Sequence, residues 1–477
     1  MDRKSGVLMH ISSLFGDYQS GSFGDNAKYF IDFLAKCGFS YWQVLPFCIV
    51  DEHNSPYKSY SAFSGNPYFV DLDILMNKGL LTLDELCAAR QTSPYLCEFD
   101  RLYSERFELL HKAAMRVTDR KEICKYIEKR KHINKFCQFM ALKQANSDLP
   151  WQEWTVTKWN DDVLFTWQFI QYEFYTQWQE VRKYANLKGI KIIGDIPIYV
   201  STDSSDVWSN TKMFQLNNKG YPLNVAGVSP DYFCEDGQMW GNPLYDWDEM
   251  EKDGYKWWSD RIKHMSDLFD AVRIDHFRGI ESYWSIPADA DTAKSGKWIK
   301  GPGIKLVKVI KKAAGNKIQI IAEDLGDITP EVFDLVNKSG FPGMRVFQFG
   351  FISNDNSSHL PHNYCENCVA YTGTHDNNTL LGYLWDLDDE TRYRMLDYCG
   401  HTGDWKDGLK SIIRCMFASN AGLVIMPIQD LLGYGCDTRV NTPGKADGNW
   451  AYRITKEQLD SIDSDYFKFL NTVYWRL

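Results

Sequence analysis

Eight short runs of apolar, β-branched or aromatic residues, each giving way to polar residues, constrain the fold of this 477-residue chain more than any other feature. They lie at 6–14, 41–47, 191–200, 271–277, 318–326, 343–351, 369–375 and 422–431. Several lack polar alternation, as in Lys191-Ile192-Ile193-Gly194-Asp195-Ile196, the pattern of a strand covered on both faces. Helix-like segments lie between them, among them 26–37 and 330–338, the latter with Thr329 placed as N-cap and Pro330 at the first helical position. Eight buried strands alternating with helices predict an α/β fold of the (β/α)8 TIM-barrel type. A doubly wound sheet is the runner-up, but no Gly-rich phosphate loop follows any of the runs.

Two spacings are too long for simple strand–helix units. After the second run, 71–184 is rich in helix formers and charged residues with apolar spacing, and is read as a helical insertion on the barrel's top face. After the third, a Trp-, Asn- and Gly-rich stretch at 203–248 reads as ordered loop, giving a loop-rich insertion over 201–256. No repeat or separating linker divides the chain, so 1–477 is expected to be one barrel carrying two insertions.

Composition narrows the function classes. A net charge of −10 without a concentrated basic face argues against nucleic acid and for a neutral partner. No segment reads as a signal peptide or membrane span, and the 12 scattered cysteines read as reduced core thiols, so a cytoplasmic protein is expected. Cys365 and Cys368 form one C-x-x-C with no second pair, which does not make a structural metal site. Aromatic content of 15%, with 17 Trp, fits either a large core or a carbohydrate cleft.

Chemistry is concentrated where three of the runs end. The fourth closes on Arg273-Ile274-Asp275-His276, the fifth on Ala322-Glu323-Asp324, and the seventh on Thr374-His375-Asp376-Asn377. A carboxylate at the end of an apolar strand is costly unless paired or used. Asp324 taken alone reads as a helix N-cap. Three such rims together fit glycosidic-bond chemistry, which needs a proton for the leaving oxygen and negative charge near the oxocarbenium-like centre. Strand periodicity puts Arg273 on the same face as Asp275, where it can hold that carboxylate ionised.

With these rims in place, the chain resembles the amylomaltase, or disproportionating enzyme, family of 4-α-glucanotransferases, relatives of the α-amylases. The matching segments are Trp42-Gln43-Val44-Leu45-Pro46, Ser55-Pro56-Tyr57 with Ser61-Ala62-Phe63, and Gly194-Asp195-Ile196-Pro197. They continue through Ala226-Gly227-Val228, Pro230-Asp231-Tyr232-Phe233 and Gly241-Asn242-Pro243-Leu244-Tyr245 to Asn441-Thr442-Pro443-Gly444 and Gly448-Asn449-Trp450.

The resemblance implies retaining, double-displacement transfer of α-1,4-glucan segments to the 4-hydroxyl of glucose or a maltooligosaccharide, with no cofactor and no metal. It implies Asp275 as nucleophile, Glu323 as general acid and then base, and Asp376 as the third carboxylate. Arg273, His375 and Asp195 match supporting positions. Tyr57 matches an aromatic platform under the sugar, where a lone tyrosine would otherwise read as packing. His276 is either a sugar contact or a satisfied imidazole, and Asn377 joins the substrate-binding candidates. The segment from Gly227 to Trp240 matches the flexible loop over the family's cleft, making Tyr232 and Trp240 candidate contacts, with core packing the alternative for Trp240. The chain departs from the family pattern at Ser13-Leu14-Phe15, Gly21-Ser22-Phe23-Gly24-Asp25 and Cys48–His53, which bears on donor length and smallest acceptor. An α-glucan hydrolase shares the same carboxylates and is the first alternative. A catalytically dead glucan-binding protein would lack one of them.

Overall fold

A computed structural model describes residues 3–230 and 235–477. Eight parallel strands form one sheet: Lys4–Leu8, Tyr41–Gln43, Lys191–Pro197, Ala271–Asp275, Gln319–Ala322, Gly343–Val346, Cys368–Tyr371 and Leu423–Pro427. In pairing order the sheet starts at the sixth strand, runs through the seventh and eighth to the first, and ends at the fifth. Its two ends meet through Ala322 N–H donating to Pro342 O at 2.9 Å. This is the expected (β/α)8 barrel. Each of the eight apolar runs contributes one strand, and Asp25–Lys36 and Pro330–Ser339 are helices.

Asp324 does not cap a helix. It accepts from Met344 N–H at 2.6 Å and from Arg345 at 3.2 Å, so its carboxylate stitches the fifth strand to the sixth. A capping role needs only a local helix start, whereas this partner lies in the next barrel strand, which sequence order alone does not place beside it. Thr329 stands before Pro330, but its side chain makes no capping hydrogen bond.

Period two along the strands separates the barrel's interior from its outer face. Ile193, Ala271, Ile321, Met344, Val369 and Tyr371 belong to one buried apolar cluster that fills the barrel. Stepping two or four residues from them toward the C-terminal ends gives Asp195, Arg273, Asp275, Glu323 and His375. The same alternation that packs the core turns Asp195, Arg273 and Asp275 inward, while Glu323 and His375 lie just past the ends of their strands.

Between the second and third barrel strands run six α-helices, from Leu72–Asn77 to Asp161–Leu187. The last is 27 residues long, is capped by Asn160, whose side chain accepts from Asp162 and Val163 N–H, and carries Asp161 and Asp162 in its first turn. Further along it, Trp178 donates to Leu268 O at 2.9 Å and Arg182 pairs with Asp270 at 2.8 Å, so this helix anchors the region to the barrel.

The stretch read as loop after the third strand holds two strands, Asn224–Val228 and Gln238–Pro243. They join Ser282–Pro287 and Lys297–Lys300 in a four-stranded antiparallel sheet. Gly227 shows why the sequence looked loop-like. A Cβ there would lie 2.1 Å from Gln238 O, so close strand approach demands the residue that strand propensity counts against. Tyr232 lies outside the described residues.

Aromatic residues divide between two places: Trp42, Trp178 and Trp258 are fully buried, while Trp240 and Trp450 line a cleft at the rim. The described cysteines are free thiols, but only part of them are core residues, since Cys87, Cys124, Cys365 and Cys436 are exposed. Among the described residues no helix is long and apolar enough to cross a membrane.

Candidate active site

The cleft, of about 1320 Å³ and open to solvent, lies over the C-terminal ends of the barrel strands. Asp275, His276, His375, Asp376, Tyr57 and Trp240 all line it. Arg273 and Asp195 are buried beneath, where the guanidinium reaches both carboxylates: Nη1 to Asp195 Oδ2 at 2.5 Å and Nη2 to Asp275 Oδ1 at 2.5 Å. Burial pushes the Asp275 carboxyl up, and the Arg273 charge opposes that by favouring the ionised form.

Glu323 immediately follows the fifth strand and is buried. Oε2 accepts from His276 N–H at 2.6 Å and Oε1 from Leu325 N–H at 2.8 Å. Burial, with the negative charge of Asp275 second, pushes its carboxyl up to about 8, against Arg273 and those two backbone donors. Glu323 is thereby kept protonated near neutrality, while at Asp275, also raised by burial, the Arg273 cation in contact opposes the rise.

Tyr57 enters from the loop after the second strand. An aspartate turn, with Asp51 Oδ1 accepting from His53 and Ser55 N–H, shapes that loop. The Tyr57 ring stacks on His375 at 5.2 Å and 11°, and its hydroxyl donates to Asp195 Oδ2 at 2.7 Å. His276 occupies the left-handed region at φ 54°, uncommon for a non-glycine. Its ring meets Trp240 edge-on at 4.9 Å, and burial lowers its pKa to about 3, so the imidazole is neutral. Its buried Nε2 has no partner among the described residues, which leaves a polar atom at the cleft wall.

Asp376 is the most exposed of the three carboxylates, its side chain 41% accessible. Asn441 Nδ2 donates to Oδ1 at 2.6 Å, and Arg439 fixes the backbone by donating to Asp376 O at 2.5 Å. Asn377 differs from its neighbours. Its side-chain oxygen accepts from Thr374 N–H and Oγ1, both at 2.9 Å, so it holds the turn and is absent from the cleft lining.

The segment 439–450 supplies side chains that residue chemistry alone did not single out. Asn441 bonds the third carboxylate, and Trp450 packs near both Tyr57 and His375 at 5.8 and 5.9 Å. The stretch has no apolar run and no strand, so only its place in the ordered set of matching segments marked it. Lys58 and Gln238 also line the cleft with no distinguishing sequence signal.

A buried acid pushed up to about 8 beside a second acid paired with arginine, at the mouth of a parallel barrel with an aromatic-walled cleft, places the chain among the carbohydrate-active barrel enzymes that exchange glycosidic bonds. More narrowly, it belongs to the 4-alpha-glucanotransferase family, whose model matches residues 9–459. The chain is 44% identical over 488 residues to the 4-alpha-glucanotransferase of Clostridium butyricum, covering 98% of this chain and 100% of that one. It is 42% identical over 495 residues to the 4-alpha-glucanotransferase of Streptococcus pneumoniae serotype 4, covering 100% and 98%. Among solved structures, the amylomaltase from Streptococcus agalactiae in complex with acarbose superposes with a TM-score of 0.96 at 36% identity, both chains covered completely. These relatives favour transfer over the hydrolase alternative.

Proposed function

We propose that the transfer runs as a double displacement on Asp275, with Glu323 moving the proton and α-1,4-glucans as donor and acceptor. Arg273 engages Asp275 Oδ1, which leaves Oδ2 to attack the anomeric carbon. As that bond forms, the glycosidic C–O bond breaks and the leaving oxygen takes the proton of Glu323. Glu323, now a carboxylate, accepts the proton of the incoming 4-hydroxyl. The hydroxyl oxygen then displaces Asp275 from the anomeric carbon, restoring both acids. Asp376, oriented by Asn441, binds ring hydroxyls and favours the distorted sugar. Tyr57 offers its ring to the apolar sugar face, and its hydroxyl steadies Asp195, which in turn orients Arg273.

The observation that carries this reading is the upward displacement of Glu323 to about 8 beside an arginine-paired Asp275. A cleft walled by Trp240, Tyr57 and Trp450 supports a sugar ligand, and free thiols support a reducing, cytoplasmic setting. Incubation with maltotriose alone is the direct test. A ladder of longer maltooligosaccharides together with glucose is expected, because hydrolysis cannot lengthen a chain. Glucose and maltose without longer products would assign the intermediate to water and replace transfer by hydrolysis.

A further inference from the structure

A second groove, of about 990 Å³, lies between the helix Lys131–Ala145 and the segment leading into the 27-residue helix, and shares no lining residue with the catalytic cleft. Four tryptophans line it, Trp151, Trp154, Trp159 and Trp208, all of them partly exposed. Gln138 and Thr157 add hydrogen-bonding groups, and Lys135 is its single charged side chain among the described residues. We propose that this groove is a non-catalytic docking site for α-1,4-glucan chains, which tethers long substrates beside the cleft; the inference rests on the glucan-transfer reading above.

Three observations select that occupant. Partly exposed rings next to amide and hydroxyl groups suit a neutral polymer with alternating apolar faces and hydroxyl edges, and the near absence of charge disfavours an ionic ligand. Two of the rings are also held in place by the protein itself. Trp151 Nε1 donates to Thr202 O and Trp154 Nε1 to Leu149 O, both at 2.9 Å. The Trp151 ring packs so closely on Gly220 that a Cβ there would lie 2.2 Å from it, and Trp154 rests on Phe139 and Trp208 at 5.1 and 6.0 Å. A fixed ring loses little entropy on binding. Finally, the groove adjoins the catalytic cleft. Thr202, which receives the Trp151 hydrogen bond, donates from Oγ1 to Gly241 O at 3.2 Å, and Gly241 sits between the cleft-lining Trp240 and Asn242. Two hydrogen bonds therefore link the groove's Trp151 to the wall of the catalytic cleft.

The test compares wild type with Trp159→Ala, and with Trp154→Ala as a second, more deeply packed variant. Each is assayed on maltotriose and on long-chain amylose and run by affinity electrophoresis in gels with and without amylose. For Trp159→Ala, maltotriose disproportionation is expected to stay within about twofold, while kcat/KM on amylose and gel retardation fall by about three- to tenfold, the scale of one lost ring contact. Unchanged amylose kinetics and retardation in both variants overturn the groove. A parallel loss on maltotriose also overturns it, since the effect then lies in the catalytic cleft. A change of mass in size-exclusion chromatography on Trp159→Ala would assign the groove to contact between copies of the chain and equally overturn glucan docking. Wild-type failure to lengthen maltotriose would instead sink the transfer reading, an outcome visible before any variant is compared.

Discussion

The backbone N–H of His276 donates to Glu323 Oε2 at 2.6 Å, so the residue that follows Asp275 in sequence grips the other acid of the pair. The contact ties the end of the fourth strand to the end of the fifth. It also sets the two carboxyl groups relative to each other through backbone, which moves less than side chains do. The left-handed conformation of His276 at φ 54° accompanies that contact.

Removal of either acid should abolish transfer without unfolding the chain. Asp275→Asn and Glu323→Gln are each expected to lower kcat on maltotriose by on the order of 10³-fold or more, the scale seen when a covalent-catalysis residue is lost. Circular dichroism should match wild type. Near-normal glucose release by either variant would refute the assignment of roles.

The pH profile follows from Glu323. A general acid works only while protonated, and this one is pushed up to about 8, so kcat/KM is expected to fall as pH rises through about 8. An activity plateau extending well above pH 9 would show that the proton comes from elsewhere.

Stability should respond to the same group. Its folded pKa, about 8, lies above the ordinary 4.5, so between these values the unfolded chain releases a proton that the folded chain retains. The contribution of Glu323 to stability is therefore present at low pH and lost as pH rises through that window. Glu323→Gln removes the loss, and its Tm is expected to exceed that of wild type at pH 8, with the difference shrinking at pH 5. Equal Tm differences at both pH values would contradict the displacement.

Arg273 has two arms on two carboxylates. Arg273→Leu leaves the buried Asp195 and the half-buried Asp275 without their cation and is expected to cost about 3–5 kcal/mol, chiefly through Asp195, read as a lower urea midpoint. Arg273→Lys supplies one ammonium where the guanidinium spans both partners, and should recover stability better than activity. Recovery of wild-type kcat by lysine would mean that bridging is dispensable.

Barrel closure makes a prediction away from the cleft. A Cβ at Gly343 would meet Asp324 Oδ2 at 2.4 Å, against a carboxylate already committed to Met344 N–H and Arg345. Gly343→Ala is expected to destabilise by about 1–3 kcal/mol, as overpacking does, measurable in urea unfolding. No change in midpoint would mean that the fifth and sixth strands close without this contact.

What the sequence determined by itself was the set of strands and the ends at which polar side chains emerge. An unbroken apolar run such as Ile192-Ile193 needs cover on both faces, and a period of two then dictates that Arg273 and Asp275 share a side. These are local consequences of chain geometry, so they can be read without knowing any neighbour. The antiparallel sheet built from Asn224–Val228, Gln238–Pro243, Ser282–Pro287 and Lys297–Lys300 could not be read in this way, because its strands find their partners across an intervening barrel strand. The same holds for Asp324, whose partner is the next strand rather than a helix, and for Asn377, which turns back on Thr374 while Asn441 reaches Asp376 from 65 residues away. The displacement of Glu323 is likewise a tertiary property. A carboxyl group acquires it from the dry, charged surroundings that only the closed barrel assembles.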